Sequence, residues 1–347
     1  MAMLDAAKDA ADLYLRQLHE LGPLADAERA RRFGRRALWV NNVHINTTNI
    51  CAGTCRFCHY RRKTNDPDAF ALTVEQVVEQ AALAAERGAR EAHLVGGLNQ
   101  TRDLAYYLRL TDGLARRVPQ LYRKFLTAVE IDFLAQQAGV TVEEVLQRLR
   151  DAGLQSLAGG GAEIFSPRVR KLVCPEKIDA DRWLAIHRAA HHLGIRSNAT
   201  MLFGHVESPA ERVEHLLRLR DLQAETNGFQ SFLALPVVDF DGGVTGGVDV
   251  LKTLAISRLV LDNFDHIKVF WPIWTSKLAQ LGLTYGADDF DGTVGRYRIV
   301  GAELAYETGM SPQALETLIR QAGLEPAERT GDYHIIDHKG DNHAGRR

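Results

Sequence analysis

The sequence predicts an α/β fold: a parallel (β/α)8 TIM-type barrel with an N-terminal helical cap and a C-terminal extension. Three observations carry this prediction. Eight strand-like runs alternate with helical ones between residues 40 and 286, and such alternation specifies a parallel sheet covered by helices. Capping residues and glycines punctuate the helix ends. The chemically unusual residues fall just after the strand-like runs, where barrels of this kind carry their active sites. An α/β barrel accommodates 347 residues as one domain. The predicted organisation is a helical cap over 1–36, the barrel over 37–325 and a tail over 326–347.

Residues 4–34 read as two short helices around Gly22-Pro23, with Leu13, Leu15, Leu18 and Leu21 as their apolar positions. The first strand is predicted over 40–48, where Val43, Ile45 and Thr47 alternate with Asn42, His44 and Asn46. In a barrel one of these sets meets the helices and the other points into the lumen, so the polar set lines a ligand cavity. Thr73 with Gln76 forms a capping box that opens a helix ending near Gly88, before a strand over 92–95. A helix over 102–117 leads to a strand over 125–129. Thr141 with Glu144 opens the next helix, which stops at Gly153 before a strand over 154–158. Helix 179–193 ends at Gly194 and precedes a strand over 198–203. Ser208, with Pro209 at the first helical position, starts a helix through about Glu225. Strand 229–235, helix 249–263, strand 266–270, helix 272–282 and a short strand over 283–286 complete the barrel. A last helix runs over 311–322, and the chain is loose from Lys339.

The formal net charge is -2, so no net basic field argues for nucleic acid or anionic lipid as a partner. Residues 1–18 mix Asp5, Lys8, Asp9, Asp12 and Arg16 among alanines and leucines, unlike the apolar core of a signal peptide. No run is long and apolar enough to cross a bilayer. A cytoplasmic location is expected.

Cys51, Cys55 and Cys58 are spaced by three and then two residues, and Phe57 and Tyr60 flank the last of them. Three thiolates on one tight loop can ligate three irons of a cubane cluster and leave the fourth iron open to a small molecule. A structural zinc site would want a fourth ligand, and His59 is the only neighbour. A disulfide framework does not crowd three of the chain's 4 cysteines into one loop. Cys174 reads as a buried thiol. His187 and His191, one helical turn apart, could ligate a metal or suit a helix C-terminus. Asp288, Asp289 and Asp291 match a calcium loop only loosely. Arg56, Arg61, Arg62 and Lys63 either neutralise an anionic group or form a solvated basic face.

The cysteine pattern resembles the signature of the radical S-adenosylmethionine (SAM) enzymes. Longer strings sharpen the resemblance. They include Asn46-Thr47-Thr48-Asn49-Ile50-Cys51, Thr127-Ala128-Val129-Glu130-Ile131, Ala158-Gly159-Gly160-Gly161-Ala162-Glu163-Ile164-Phe165 and Asn198-Ala199-Thr200-Met201-Leu202-Phe203-Gly204-His205. Ser257-Arg258-Leu259-Val260-Leu261-Asp262-Asn263 and Gly286-Ala287-Asp288-Asp289-Phe290-Asp291-Gly292-Thr293 belong with them. Together they resemble a subgroup of menaquinone and deazaflavin biosynthesis over about residues 40–325, and within it the aminodeoxyfutalosine synthases.

The resemblance implies a 4Fe-4S cluster on Cys51, Cys55 and Cys58, with SAM as co-substrate. It implies cleavage of SAM by one electron and addition of the 5'-deoxyadenosyl radical to the enolpyruvyl double bond of 3-[(1-carboxyvinyl)oxy]benzoate. Rearrangement and loss of the carboxylate then give 6-amino-6-deoxyfutalosine. It also implies an electron donor such as flavodoxin or ferredoxin. The backbone of Gly96, Gly97 and Leu98 would meet the SAM amino group, while Glu130 and Glu163 would meet that group or the ribose hydroxyls. Thr200, Leu202, Gly204 and Glu207 match the superfamily's GxIxGxxE pattern, with Thr for the first Gly, and would support the adenine. Tyr60, beside the last cysteine, joins the cofactor-binding set. His44, His205, Lys268 and Arg258 are candidates for the substrate carboxylates, each with a structural role as its alternative.

Three departures bear on the acceptor: Gly-Gly-Leu is followed by Asn99-Gln100 where His-Pro is expected, 234–240 lacks the Phe-x-Pro-x-Asn of relatives, and Gly301 stands where a histidine is expected. A site built to hydrogen-bond one substrate discriminates strongly against another. A paralogue acting on another alkene, or abstracting hydrogen as cyclic dehypoxanthine futalosine synthase does, is the alternative enzyme. A non-catalytic iron-sulfur protein is the alternative outside catalysis.

Overall fold

The structure, a computed structural model, describes residues 7–237, 240, 243, 245–295 and 309–337. The chain opens with α1 (Ala7–Asp12) and α2 (Leu18–Phe33). Gln17 and Glu20 form a capping box at the start of α2, which then runs through Gly22 and Pro23 as one helix. The expected break at Gly-Pro does not occur, although Pro23 lies inside the helix and has no N–H to donate; Gly22 leaves room for the Tyr285 ring to pack against the helix there.

β1 (Arg36–Val40) and β2 (Asn42–Asn46) follow, separated only by Asn41, and α3 (Val74–Glu86) and β3 (Glu91–Val95) come next. α4 (Leu104–Arg117), β4 (Tyr122–Lys124), α5 (Ala128–Ala138) and α6 (Val142–Asp151) lead to β5 (Ser156–Leu157). After α7 (Pro167–Val173) and α8 (Ala180–His192), β6 (Arg196–Phe203), α9 (Pro209–Thr226) and β7 (Phe229–Pro236) continue the alternation. α10 (Gly247–Val260), β8 (His266–Lys268), α11 (Trp271–Trp274), α12 (Ser276–Gly282) and β9 (Asp289–Gly292) complete it. α13 (Pro312–Gln321) and β10 (Glu325–Glu328) close the described chain.

The strands form one parallel sheet in the order β10-β1-β9-β8-β7-β6-β5-β4-β3-β2. It curls until its margins meet: the His44 N–H donates to the Val294 carbonyl (2.7 Å) and the Val294 N–H to Asn42 Oδ1 (2.7 Å). The kink at Asn41 lets one stretch of chain serve both margins, with β1 beside β9 and β2 beside β3. Helices cover the outer face through apolar stripes. On α6 these are Val142, Val145, Leu146 and Leu149, at helical spacing and buried.

Two expected strands are displaced. The run 125–129 is not a strand: β4 ends at Lys124, and Thr127 opens α5. The Thr127 side chain accepts from the Glu130 N–H, and the Glu130 carboxylate accepts from the Thr127 N–H (2.7 Å), a capping box that outweighs the local β-propensity. The run 283–286 lies in a turn, and the strand comes later, as β9, through the acidic residues expected to be a loop. Those acids tolerate burial because each is paired: Asp288 with Arg258 and His266, Asp289 with Arg329, and Asp291 with Lys268. A calcium loop is thereby excluded at these positions. β10 pairs with β1 from Arg36↔Glu325 to Trp39↔Glu328, so the segment expected as a tail begins inside the sheet.

Candidate functional site

One cavity of about 590 Å³ opens at the C-terminal ends of the strands and reaches into the barrel. Its mouth holds the loop after β2, where Cys51, Cys55, Cys58, Tyr60 and Arg61 all line the wall. Parallel strands deliver this loop beside the end of β3, and backbone hydrogen bonds fasten the two: the Ala52 N–H donates to the Leu98 carbonyl (2.9 Å) and the Leu98 N–H to Cys51 Sγ (3.3 Å). The Gly53 N–H also donates to Cys51 Sγ (3.4 Å). Gly97 makes the approach possible, since a Cβ there would lie 2.5 Å from the Ile50 carbonyl oxygen and 2.7 Å from Cys51 Cβ. Gly96, Gly97 and Leu98 line the same wall.

The donor set fits a cluster held by three thiolates. All three sulfur-bearing residues share one cavity, and Cys51 Sγ already accepts two backbone N–H groups as a thiolate would. No three His, Cys, Asp or Glu side chains among the described residues gather as ligands of a single metal ion; cluster ligands need not, because each holds its own iron. Cys174 lies off this wall, buried, with its thiol pushed up to about 12 by burial.

Glu130, Thr200 and the glycines Gly159, Gly160 and Gly161 form the middle of the cavity. Burial raises the Glu130 carboxyl to about 7 against the pull of its hydrogen bonds with Thr127. Thr200 Oγ1 donates to the Gly159 carbonyl (2.6 Å). Lys177 also lines the wall and pairs with Glu163, which itself stands behind it. Burial alone would raise the Glu163 carboxyl, but Lys177 outweighs it and holds the acid below its ordinary value.

The floor is built from strand interiors: His44 on β2, His93 on β3, Lys124 on β4, Lys268 on β8 and Asp291 on β9. The imidazoles of His44 and His93 meet edge to face at 4.5 Å between centroids. Burial lowers His44 to about 4 and His93 well below its usual value, so both rings are neutral at pH 7. Lys124 Nζ pairs with Glu91 Oε1 (2.7 Å), and Lys268 pairs with Asp291. Burial opposes the charge on Glu91, yet Lys124, Lys268 and Arg329 together hold its carboxyl below the ordinary range.

Several predicted site residues lie elsewhere. Leu202, Gly204 and His205 are off the cavity wall. The His205 ring packs between Phe57 (5.2 Å) and Phe240 (5.1 Å). The Glu207 carboxylate accepts from the N–H groups of Gly204 (2.6 Å) and His205 (2.9 Å), which fixes the turn after β6. Arg258 is fully buried below the floor, donating to the Gly286 carbonyl (2.7 Å) and pairing with Asp288. It does not line the cavity. His187 and His191 share the Ser197 hydroxyl at 2.9 and 2.7 Å, a buried polar relay and not a metal pair. Arg62 pairs with Asp68.

Of the three departures, Asn99 faces away from the cavity: its amide donates to Thr48 Oγ1 (3.2 Å), and its carbonyl accepts from Thr101. Leu235 lines the wall, whereas Val238, Asp239 and Gly301 lie outside the described residues. The sequence singled out neither His93, Lys124 nor Lys177, and gave Asn198 and Asp291 no place in a cavity, yet all five line it. Period-two alternation with His44 as the template would have found His93, and a strand ending at Lys124 would have found Lys124.

Residues 45–219 match the radical SAM superfamily, and residues 240–341 match the CofH/MqnC C-terminal region. The chain is 40% identical over 332 residues to the aminodeoxyfutalosine synthase of Thermus thermophilus, covering 92% of this chain and 89% of that one. The Streptomyces coelicolor aminodeoxyfutalosine synthase is 38% identical over 333 residues, covering 91% and 86%. A 5-amino-6-(D-ribitylamino)uracil--L-tyrosine 4-hydroxyphenyl transferase of Methanopyrus kandleri is also 38% identical, over 347 residues, covering 96% and 92%. Among solved structures, the [FeFe]-hydrogenase maturase HydG superposes with a TM-score of 0.72 at 17% identity, covering 93% of this chain and 72% of that one. Methylornithine synthase gives 0.72 at 18% identity, covering 93% and 94%, and at these identities the likeness is one of fold.

Proposed function

The chain belongs to the radical SAM superfamily, and from that membership we propose that it is an aminodeoxyfutalosine synthase, joining the adenosyl carbon of SAM to an aryl enolpyruvyl ether. Its cofactors are a 4Fe-4S cluster and SAM. When bound and reduced, the cluster supplies the electron that cleaves SAM and makes its adenosyl carbon reactive.

The observation that carries the reading is the unbroken cavity from Cys51, Cys55 and Cys58 down to Lys124 and Lys268. SAM and a second small molecule share one chamber, as formation of a bond between them requires. The residues divide the work. Cys51, Cys55 and Cys58 hold the cluster. The Gly96-Gly97-Leu98 backbone and Glu130 receive the SAM amino group, and Thr200 stands where the nucleoside passes. Phe133, Leu233, Leu235 and Phe270 give the acceptor's ring an apolar wall, and the His44, His93, Lys124 and Lys268 donors orient its carboxylates. An external one-electron donor, flavodoxin or ferredoxin, completes the system.

A second reading, the 4-hydroxyphenyl transfer named for the Methanopyrus kandleri relative, is favoured by one feature. Each floor lysine already has a carboxylate partner, so the floor offers balanced donors and acceptors that suit an uncharged, hydroxyl-rich acceptor. The two readings separate in one anaerobic experiment with reconstituted protein, reductant and SAM. One arm receives 3-[(1-carboxyvinyl)oxy]benzoate, and the other receives tyrosine with 5-amino-6-(D-ribitylamino)uracil. An adenosylated adduct in the first arm supports the synthase, and a hydroxyphenylated product in the second replaces it.

A further inference from the structure

The C-terminal segment after β10 turns beneath the barrel and seats on the inward-facing residues at the N-terminal ends of the strands. Arg329 Nε donates to Asp289 Oδ2 (2.8 Å), and both side chains are fully buried. The Arg329 guanidinium also lies 4.0 Å over the Tyr333 ring, and that ring stacks on His266 at 4.0 Å with an interplanar angle of 11°. Between them, the Gly331 carbonyl accepts from Gln230 Nε2 (3.3 Å), while Gln230 Oε1 accepts from the Tyr122 and Ser156 hydroxyls. A Cβ at Gly331 would come within 2.4 Å of Tyr122 Cβ, so the segment touches the strand interior directly.

Residues 329–333 thus meet side chains of β4, β7, β8 and β9 in one layer, and reach Ser156 of β5 through Gln230. The period-two pleat puts the cavity floor in the next layer up: Tyr122 is two residues before Lys124, Glu91 two before His93, His266 two before Lys268 and Asp289 two before Asp291. Glu91 bridges the layers through Lys124. The buried cations Lys124, Lys268 and Arg329 match the buried anions Glu91, Asp289 and Asp291 one for one.

We propose that residues 329–333 are a plug that forms the lower layer of the acceptor chamber, with Arg329 a positioning residue that keeps Lys124 and Lys268 aligned for the acceptor. Arg329 touches no acceptor. Without it, Asp289 becomes an uncompensated anion beneath the floor and draws the lysines downward, away from Glu91 and Asp291. SAM, held at the opposite end of the cavity, is not affected. The proposal rests on the chamber taking an acceptor, whichever of the two it is.

The test compares wild-type holoenzyme with Arg329→Ala, Arg329→Lys and the double variant Arg329→Met/Asp289→Asn. SAM affinity is read from the change in the reduced cluster's EPR signal, and acceptor KM from the assay arm that turns over. Arg329→Ala is expected to raise acceptor KM at least tenfold with SAM affinity within twofold of wild type. Arg329→Lys and the charge-free double variant are expected to recover most of the loss. Unchanged acceptor KM in a folded Arg329→Ala variant, or equal loss of SAM and acceptor binding, overturns the proposal. Should neither acceptor turn over, the functional reading fails separately, and hydrogen exchange of the holoenzyme decides on the plug. Faster exchange in Arg329→Ala confined to peptides over 91–95, 122–124 and 266–268, with 51–58 unchanged, supports it. Unchanged exchange in those strands overturns it.

Discussion

The Leu98 N–H points at Cys51 Sγ from 3.3 Å, which ties the end of β3 to the cysteine loop through a contact that depends on no side chain of residue 98. The position therefore tolerates leucine. What it does not tolerate is bulk one residue earlier. Gly97→Ala would place a Cβ against the Ile50 carbonyl and Cys51 Cβ, neither of which is a flexible side-chain end. This variant is expected to fold and to retain less than half the wild-type iron after reconstitution, as measured by iron analysis and cluster absorbance.

Glu130 gives SAM binding a pH dependence. Burial raises its carboxyl to about 7, so below that pH the free protein holds it protonated. If it accepts from the SAM ammonium, affinity weakens as pH falls through 7, by up to about tenfold per unit. The folded pKa lies above the ordinary carboxylate value, so ionising Glu130 costs stability as pH rises through 7. Glu130→Gln is expected to flatten the SAM-affinity profile between pH 6 and 8 and to raise Tm more at pH 8 than at pH 5. A profile unchanged by the substitution would place the titrating group elsewhere.

Lys177 on the cavity wall pairs with Glu163 behind it. Removing the lysine alone leaves a carboxylate that is 7% exposed without its partner, at a cost on the order of 3 kcal/mol. Lys177→Met is expected to lower the denaturation midpoint by that amount, and Lys177→Met/Glu163→Gln to recover most of it, as measured by chemical denaturation.

Buried histidines set the acid limit. Burial lowers His44 to about 4, and His191 and His215 to about 3. Each folded value lies below that of the free side chain, so the unfolded chain binds more protons. The stability these groups contribute is complete above about pH 6.5 and is lost as pH falls toward 3. Stability is expected to decline from pH 6.5 downward. His191→Gln, which leaves the catalytic chamber untouched, should lessen the slope.

Much of this was legible in the sequence, for physical reasons that also explain what was not. The cysteine loop and the glycines after β3 and β5 could be read because their chemistry is local. The helices opened by Thr73, Thr141 and Ser208 declared themselves through their caps. The same signal, Thr127 with Glu130, was present at α5 but lay inside an apolar run that imitated a strand. Asp288, Asp289 and Asp291 read as a loop because the cations that permit their burial, Arg258, Arg329 and Lys268, come from distant parts of the chain. Arg258 and Lys268 looked alike in sequence. Arg258 stands on helix α10 and turns to Asp288 just before β9, whereas Lys268 stands on β8 and lines the cavity.

The most direct test follows the adenosyl group of SAM. Isotopically labelled SAM is mixed anaerobically with the reduced, reconstituted protein and 3-[(1-carboxyvinyl)oxy]benzoate, and products are read by mass spectrometry. The label is expected in a covalent adduct with the mass of 6-amino-6-deoxyfutalosine, formed only with reductant and absent with Cys55→Ala. Label recovered entirely as unreacted SAM or as free 5'-deoxyadenosine, from protein with an intact cluster, would contradict the synthase reading.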